Sequence, residues 1–154
     1  MIGTISPWIE AISYELNASK IVTLDYTRKY WHESKLEWYH VNDYLEEMIA
    51  SHTLEHYDNA ATFSSIEHAG LGRFGDPLNP DGDLDVMKQV HCMLKPGSLF
   101  FIGALENGPN EKGSLEFNAQ RVYGTKRLEL LFEGWDVLKK DGGEFVVRKK
   151  GGCV

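Results

Sequence analysis

The chain has 154 residues, of which 42% are hydrophobic and 25% are charged, and its formal net charge is −7 at pH 7. This length predicts a single domain over residues 1–154, with enough chain to bury a core. The acidic balance argues against a nucleic-acid partner, because phosphate-binding surfaces are normally basic. No apolar run reaches the roughly 18 residues that span a bilayer, so the sequence predicts no membrane partner.

The chain has only two cysteines, Cys92 and Cys153, which are too few to indicate a disulfide framework. Its opening residues lack the basic and apolar regions of a secretory leader. The sequence therefore predicts a reducing compartment and, by default, a cytoplasmic location.

Predicted helices and strands alternate along the chain. The predicted elements, in chain order, are a helix over 7–16, strands over 20–26 and 35–41, a helix over 43–56, a strand over 59–66, a helix over 84–94, a strand over 98–105, a helix over 125–135 and a hairpin over 135–150. The segments 67–83 and 107–124 are predicted to be irregular. This alternation predicts an α/β fold with a parallel sheet, helices on both faces and an antiparallel hairpin at one side.

A glycine turn and an acidic residue predict a binding site at the ends of the first strands. In "GTISPW", Gly3 permits a tight turn, and the helix that follows presents free N–H groups at its start. Asp25 ends the next predicted strand, where a carboxylate can accept hydrogen bonds from ribose hydroxyls. Asp43 follows the strand after that, within possible reach of an adenine amino group, although an ordinary turn role is the alternative.

The stretch "TFSSIEHAGLGRFGDPLNPDGDLDVMKQVHCMLKPGSLFFIG" resembles class I S-adenosylmethionine-dependent methyltransferases between their fourth and fifth strands. In that class the fourth strand commonly ends in a Glu-His pair, here Glu67–His68, and a helix leads to an "LKPGG" turn, here "LKPGS". The closing "EGWDVLKKDGGEFVV" resembles the same fold. Together with "GTISPWIEA" and "TLDY", these motifs are similar to an uncharacterised methyltransferase-like family described only as a domain of unknown function.

The resemblance implies a Rossmann-like sheet, a transferase function and S-adenosylmethionine as cofactor. Cofactor contacts would come from the turn residues Gly3, Thr4 and Ser6, from Asp25 at the ribose and from Asp43 at the adenine. The class usually has a G-x-G-x-G run in this turn, whereas "GTISPW" has one glycine. The methionine end of the cofactor would therefore be held differently.

The resemblance also implies catalytic and substrate-binding residues at the carboxyl end of the sheet. Glu67 and His68 would be catalytic, with His68 in the native pKa range of a general base. The alternative for this pair is a structural role in the following loop, or ligation of a divalent metal. Asn118, Arg121 and Tyr123 would contact a small-molecule or glycan substrate, with an ordinary surface loop as their alternative.

In this fold Gly3 follows the central strand, and only Met1 and Ile2 of that strand are present. The resemblance therefore implies that most of the strand and the helix before it are missing, and we expect a fragment of a longer protein. Pairing of the open strand edges in a homodimer is a second way to complete the sheet.

Two other functions are alternatives to the methyltransferase. The first is a non-catalytic scaffold that keeps the fold without the cofactor. The second is a zinc peptidase, since "HTLEH" matches H-x-x-E-H and would place His52 and His56 on one helical face. No third ligand stands out, so we predict no metal site.

Overall fold

The computed structural model of the protein describes residues 1–153. The helices are α1 (Trp8–Glu15), α2 (Val41–Ser51), α3 (Gly82–Met93) and α4 (Thr125–Leu131). The strands are β1 (Ile21–Asp25), β2 (Leu36–His40), β3 (Tyr57–Phe63), β4 (Leu94–Gly103), β5 (Ser114–Leu115), β6 (Arg121–Val122), β7 (Trp135–Asp141) and β8 (Glu144–Lys149). A 3₁₀ turn, Ile66–His68, follows β3.

The predicted alternation of strands and helices is confirmed, and several element boundaries differ. α2 ends at Ser51, five residues before the predicted end, because His52 adopts a left-handed φ of 55° that no helix can continue. α4 ends at Leu131, and Gly134, at φ 84°, turns the chain into β7. Within the segment predicted to be irregular, β5 and β6 form a short antiparallel ribbon.

The sheet is mixed, with parallel pairs at one side and antiparallel pairs at the C-terminal hairpin. β1 pairs with β2 in parallel, and β3 pairs with β4 in parallel. β8 pairs antiparallel with both β4 and β7. Ile2 forms parallel bridges to Leu24 of β1 and to Thr62 of β3. The resulting spatial order is β2–β1–Ile2–β3–β4–β8–β7.

Two groups of buried apolar side chains form the core. The larger group lies between β4, β8, α3 and α4 and includes Phe100 and Val147, both fully buried. The smaller group joins β1 to α2 through Val22, Leu24 and Met48. Both groups contact Ile2, so this residue joins the two halves of the core as well as the two halves of the sheet.

Candidate functional site

A cavity of about 420 Å³ lies where β1 and β3 end and α1 begins. In open α/β sheets, ligands bind at the carboxyl ends of the strands, and this volume is within the range of small-molecule sites. The residues that line it come from the Gly3 turn, the end of β1, the start of α2, the loop after β3 and one face of α3. The predicted residues Gly3, Thr4, Ser6, Asp25 and His68 are among them.

Asp25 connects the end of β1 to the Gly3 turn. The Thr4 backbone N–H donates to Asp25 Oδ2 at 2.9 Å, and the Thr27 N–H donates to Oδ1 at 2.8 Å. The Lys29 ammonium lies 3.5 Å from Oδ2 and balances the carboxylate charge. Each Asp25 oxygen retains acceptor capacity, since a carboxylate has about four lone-pair positions. The carboxylate can therefore hold the turn and still accept hydrogen bonds from a ligand.

Gly3 requires the absence of a side chain for two reasons. Its φ is 62°, in the left-handed region that favours glycine, and an added Cβ would collide with the Ser65 side chain. The turn after Ile2 thus packs directly against the loop after β3. This close approach brings the turn and the Glu67–His68 loop to the same cavity.

Asp43 lies outside the cavity. Its side chain is 84% exposed in the first turn of α2, and its Oδ1 lies 3.9 Å from His40 Nδ1. The neighbouring residues Val41, Asn42 and Leu45 line the cavity instead. The predicted residue, Asp43, is thus next in sequence to the residue that lines the cavity, Asn42, at the start of α2.

His68 is held by one hydrogen bond that defines its tautomer. Its Nδ1 lies 2.7 Å from the Ala119 carbonyl oxygen, and a carbonyl can only accept, so Nδ1 carries the hydrogen. In the neutral ring Nε2 is then the basic nitrogen. It lies 3.5 Å from Ser64 Oγ and 3.5 Å from Glu67 Oε1. His68 is thus oriented to accept a proton at Nε2.

Glu67 is a buried carboxyl group beside His68. It is 1% exposed, and within residues 1–153 neither of its side-chain oxygens accepts a hydrogen bond of ordinary geometry. Ser64 and Ser65 supply donors nearby that favour the charged carboxylate. Burial raises the pKa of Glu67, because desolvation penalises the charged carboxylate. A buried titratable group beside an oriented imidazole is a common arrangement in catalytic sites.

Three partly exposed aromatic side chains line the cavity, and we call Trp8, Phe63 and Phe74 the aromatic lip. They are 45%, 37% and 40% exposed. Trp8 and Phe63 contact each other edge to face at 5.2 Å, and Phe74 lies 5.4 Å from the His68 ring. The lip therefore provides apolar surface next to the candidate base.

Asp76 holds Phe74 in place and is a residue that the sequence reading missed. Its carboxyl oxygens accept hydrogen bonds from the backbone N–H groups of Gly72, at 3.1 Å, and of Phe74, at 3.2 Å. No usual turn pattern marks it in "GRFGD", because the common aspartate turn binds the N–H two residues after the aspartate, whereas Asp76 binds N–H groups that precede it. Asp76 also lines the cavity.

The three residues predicted to bind substrate do not line the cavity. Asn118 is exposed, with φ of 50°. The Arg121 guanidinium is 6% exposed; it donates to the Pro80 carbonyl at 3.0 Å and lies 3.5 Å from Asp83. Tyr123 is 1% exposed and donates to Asp83 Oδ2 at 3.1 Å. Arg121 and Tyr123 therefore stabilise the loop before α3 in this structure.

"HTLEH" does not form a zinc site. His52 and Glu55 both have φ of 55°, so the segment after Ser51 is not helical and the two histidines do not share a helical face. No group of three or more His, Cys, Asp or Glu side chains within residues 1–153 could hold a metal ion. The zinc peptidase alternative is wrong for these physical reasons.

The expectation of reduced cysteines is contradicted by a disulfide between Cys92 and Cys153. The Cα atoms are 4.5 Å apart, within the range that disulfides require. The pairing joins the end of α3 to the C-terminal segment, a contact that sequence spacing cannot reveal.

Across residues 1–153, the helices are too short or too polar to cross a bilayer.

The protein is an α/β protein with a cavity at the carboxyl ends of its strands, the position at which open α/β sheets bind ligands. The chain belongs to the family described as "Caenorhabditis protein of unknown function, DUF268", whose family model matches residues 1–146. A search of curated proteins finds no match to the sequence.

Two solved structures are similar to this chain, and the first of them shares its fold. One is the Burkholderia thailandensis 1,6-didemethyltoxoflavin-N1-methyltransferase with bound 1,6-didemethyltoxoflavin and S-adenosylhomocysteine, at 14% identity and a TM-score of 0.64. That match covers 97% of this chain and 70% of the other. A second is PigF with S-adenosylhomocysteine, at 12% identity and a TM-score of 0.49, covering 97% of this chain and 49% of the other.

Proposed function

We propose that this protein is an S-adenosylmethionine-dependent methyltransferase that acts on a small molecule. The observation that carries the proposal is the convergence of Asp25, the Gly3 turn and His68 on one cavity of about 420 Å³. Its support from comparison is the shared fold of a methyltransferase crystallised with S-adenosylhomocysteine.

Asp25 would accept hydrogen bonds from the ribose hydroxyls of the cofactor, beside the Lys29 ammonium at 3.5 Å. Backbone groups of Gly3, Thr4 and Ser6 would contact the rest of the cofactor. Asn42 would contact the adenine instead of Asp43, because Asn42 lines the cavity. When bound, the cofactor supplies an electrophilic methyl group on a sulfonium.

His68 would remove the proton from the acceptor atom at Nε2, because the Ala119 carbonyl keeps the hydrogen on Nδ1. Glu67 lies 3.5 Å from the same nitrogen and would stabilise the imidazolium that forms. Positioning of the acceptor against the methyl group supplies the rest of the rate enhancement.

The aromatic lip favours an acceptor with a flat apolar face. Lys29 is the only lysine or arginine among the cavity-lining residues, and it is already paired with Asp25. A strongly anionic acceptor would therefore find no free cation among the described lining residues. A glycan acceptor and a homodimer remain predictions without support from these contacts. We do not favour the non-catalytic scaffold, because the cavity retains both a carboxylate for ribose and an oriented base.

Calorimetric titration with S-adenosylmethionine and S-adenosylhomocysteine tests the cofactor site. We expect saturable binding that Asp25→Ala weakens by at least about tenfold, since a charge-assisted hydrogen bond contributes roughly 1.5–3 kcal/mol. Asp25→Asn keeps an oxygen for the Thr4 N–H and separates loss of the ligand contact from loss of the turn. Asp141→Ala, an exposed aspartate in the β7–β8 hairpin, is the matched control. A folded chain that binds neither compound would refute the proposal.

A further inference from the structure

The charged side chains that line the cavity are mostly acidic. Asp25, Asp76 and Asp85 contribute carboxylates, whereas Lys29 is the one lysine or arginine side chain in the lining, within the described part of the chain. Lys29 lies 3.5 Å from Asp25 Oδ2, so these two charges offset each other. Asp85 accepts a hydrogen bond from Asn79 Nδ2 at 2.7 Å. The two remaining carboxylates make the cavity favourable for a cation and unfavourable for an anion.

Asp76 is a buried carboxylate that forms no ion pair within residues 1–153. It is 9% exposed, and each of its oxygens accepts one backbone N–H, from Gly72 at 3.1 Å and from Phe74 at 3.2 Å. Each oxygen can accept a further hydrogen bond, since a carboxylate has about four lone-pair positions. A buried charge without an opposite charge nearby is costly, so a cation supplied by a ligand would be stabilised here.

The charge of Asp76 also acts on a residue of a second element that lines the cavity. Tyr26 follows β1 and lines the same cavity as Asp76. Burial raises the pKa of the Tyr26 hydroxyl, and the negative charge of Asp76 raises it further. The field of Asp76 therefore extends beyond its own loop to the end of β1.

The aromatic lip supplies ring surface in the same cavity. Phe74 is joined directly to Asp76 through its backbone N–H, and the Arg73 guanidinium lies 5.3 Å from the centre of its ring. Arg73 is not a lining residue. Trp8 and Phe63, which are 45% and 37% exposed, provide further ring surface. A flat ring can therefore pack against the lip while a short side chain of the same ligand reaches the carboxylate.

We propose that the cavity binds an aromatic amine in its charged form, with the ring against the aromatic lip and the ammonium group at Asp76. An ammonium group has three donors and can bond both oxygens of the carboxylate at once. A neutral ligand of the same shape lacks the charge, and an anionic one is repelled. The identification of this amine as the methyl acceptor rests on the proposed function, whereas the preference for a cation does not.

Calorimetric titration with three indoles of similar shape tests the charge preference. Tryptamine is a cation at neutral pH, tryptophol is neutral and indole-3-acetate is an anion. Each is titrated with and without saturating S-adenosylhomocysteine. Asp76→Asn removes the charge and keeps an oxygen for one backbone N–H. Asp85→Asn is the matched control, because Asp85 lines the same cavity and already accepts from the Asn79 amide.

We expect tryptamine to bind at least about tenfold more tightly than tryptophol, and indole-3-acetate to bind most weakly, because a hydrogen bond to a charged group is stronger than a neutral one. Asp76→Asn should remove the difference between tryptamine and tryptophol, and Asp85→Asn should keep it. Equal binding of the three indoles, or binding of none, would overturn the proposal. So would unchanged tryptamine binding in Asp76→Asn together with weaker binding of S-adenosylmethionine but not of S-adenosylhomocysteine, because Asp76 would then serve the sulfonium.

Failure of the proposed methyl transfer gives a different result. A chain that prefers tryptamine but does not bind S-adenosylhomocysteine would refute the methyltransferase and support the amine site. A chain that binds S-adenosylhomocysteine without preference among the indoles would do the reverse. If Asp76→Asn does not fold, intermolecular NMR contacts on the unmodified protein locate the ethylamine chain of bound tryptamine. We expect them at Phe74 and Asp76, and contacts at Asp85 instead would overturn the proposal.

Discussion

The Glu67 carboxyl group lowers the stability of the fold at neutral pH. It is 1% exposed, so its charged form is poorly solvated, and the donors near it at Ser64 and Ser65 compensate only in part. Burial raises its pKa in the folded chain above the unfolded value. The stability that Glu67 contributes when protonated is therefore present at low pH, and it is lost as pH rises through the folded pKa.

Replacing Glu67 by glutamine should stabilise the protein at pH 7 and reduce methyl transfer. Glu67→Gln keeps the shape and removes the buried charge, so we expect a gain on the order of 1 kcal/mol, or roughly 3 °C in melting temperature. The gain should shrink as the pH is lowered toward 4. Thermal denaturation between pH 4 and 8 measures it, with the exposed Glu116→Gln as the control. A destabilised variant at pH 7 would contradict the account.

At the scale of elements, one buried ion network joins the loop before α3 to β6 and α4. Asp83 is fully buried at the start of α3 and accepts hydrogen bonds from Tyr123 at 3.1 Å and from Arg127 Nε at 3.0 Å. Arg121 lies 3.5 Å from it. Because the same loop carries His68, Phe74 and Asp76, the network positions the site without lining it.

Asp83→Asn should destabilise the protein by about 3–5 kcal/mol, because it leaves the buried Arg121 without its charge partner. Asp81 is the matched control, since it pairs with the same Arg127 at 3.2 Å but is 64% exposed. For Asp81→Asn we expect less than about 1 kcal/mol. Urea unfolding of both variants measures the difference, and equal losses would show that burial does not govern this network.

Across the whole molecule, features encoded by local pattern were predictable, and features made by distant contacts were not. The strand that ends at Asp25 and the hairpin around Gly142 follow from apolar runs and turn residues close in sequence. The burial of Arg121, in contrast, depends on carbonyl groups some forty residues away. The aromatic lip likewise joins Trp8 to Phe63, and no periodicity connects them.

The sequence predicted the residue types of the Glu67–His68 pair but not the geometry of their side chains. Its residue types and its position after a strand indicated acid–base chemistry. The tautomer of His68 depends on the Ala119 carbonyl, which lies 51 residues along the chain. The start of α2 shows the same limit, because helix phase decides that Asn42 rather than Asp43 reaches the cavity. Packing between distant segments determines these side-chain positions, and a local sequence pattern carries no information about that packing.

The Cys92–Cys153 disulfide is the longest-range covalent constraint and yields the last prediction. It closes a loop with a sequence separation of 61, and a loop of that length restricts the unfolded chain by about 4 kcal/mol in the chain-entropy account. The C-terminal segment also donates from the Cys153 N–H and from Lys149 Nζ to Glu55 Oε1, both at 2.8 Å. These contacts hold the segment at Glu55, whose own N–H donates to the Cys92 carbonyl oxygen at 2.8 Å, so they act beside the disulfide.

Reduction should therefore lower the urea midpoint of the protein without abolishing folding. Cys153→Ser should unfold at the midpoint of the reduced protein and should not respond to reductant. Unfolding curves with and without reductant, together with thiol counting by mass spectrometry, measure both effects. An unchanged midpoint on full reduction would mean that the ion pair and hydrogen bonds at Glu55 hold the segment by themselves. Cys153→Ser would then unfold at the same urea midpoint as the oxidised protein with both cysteines.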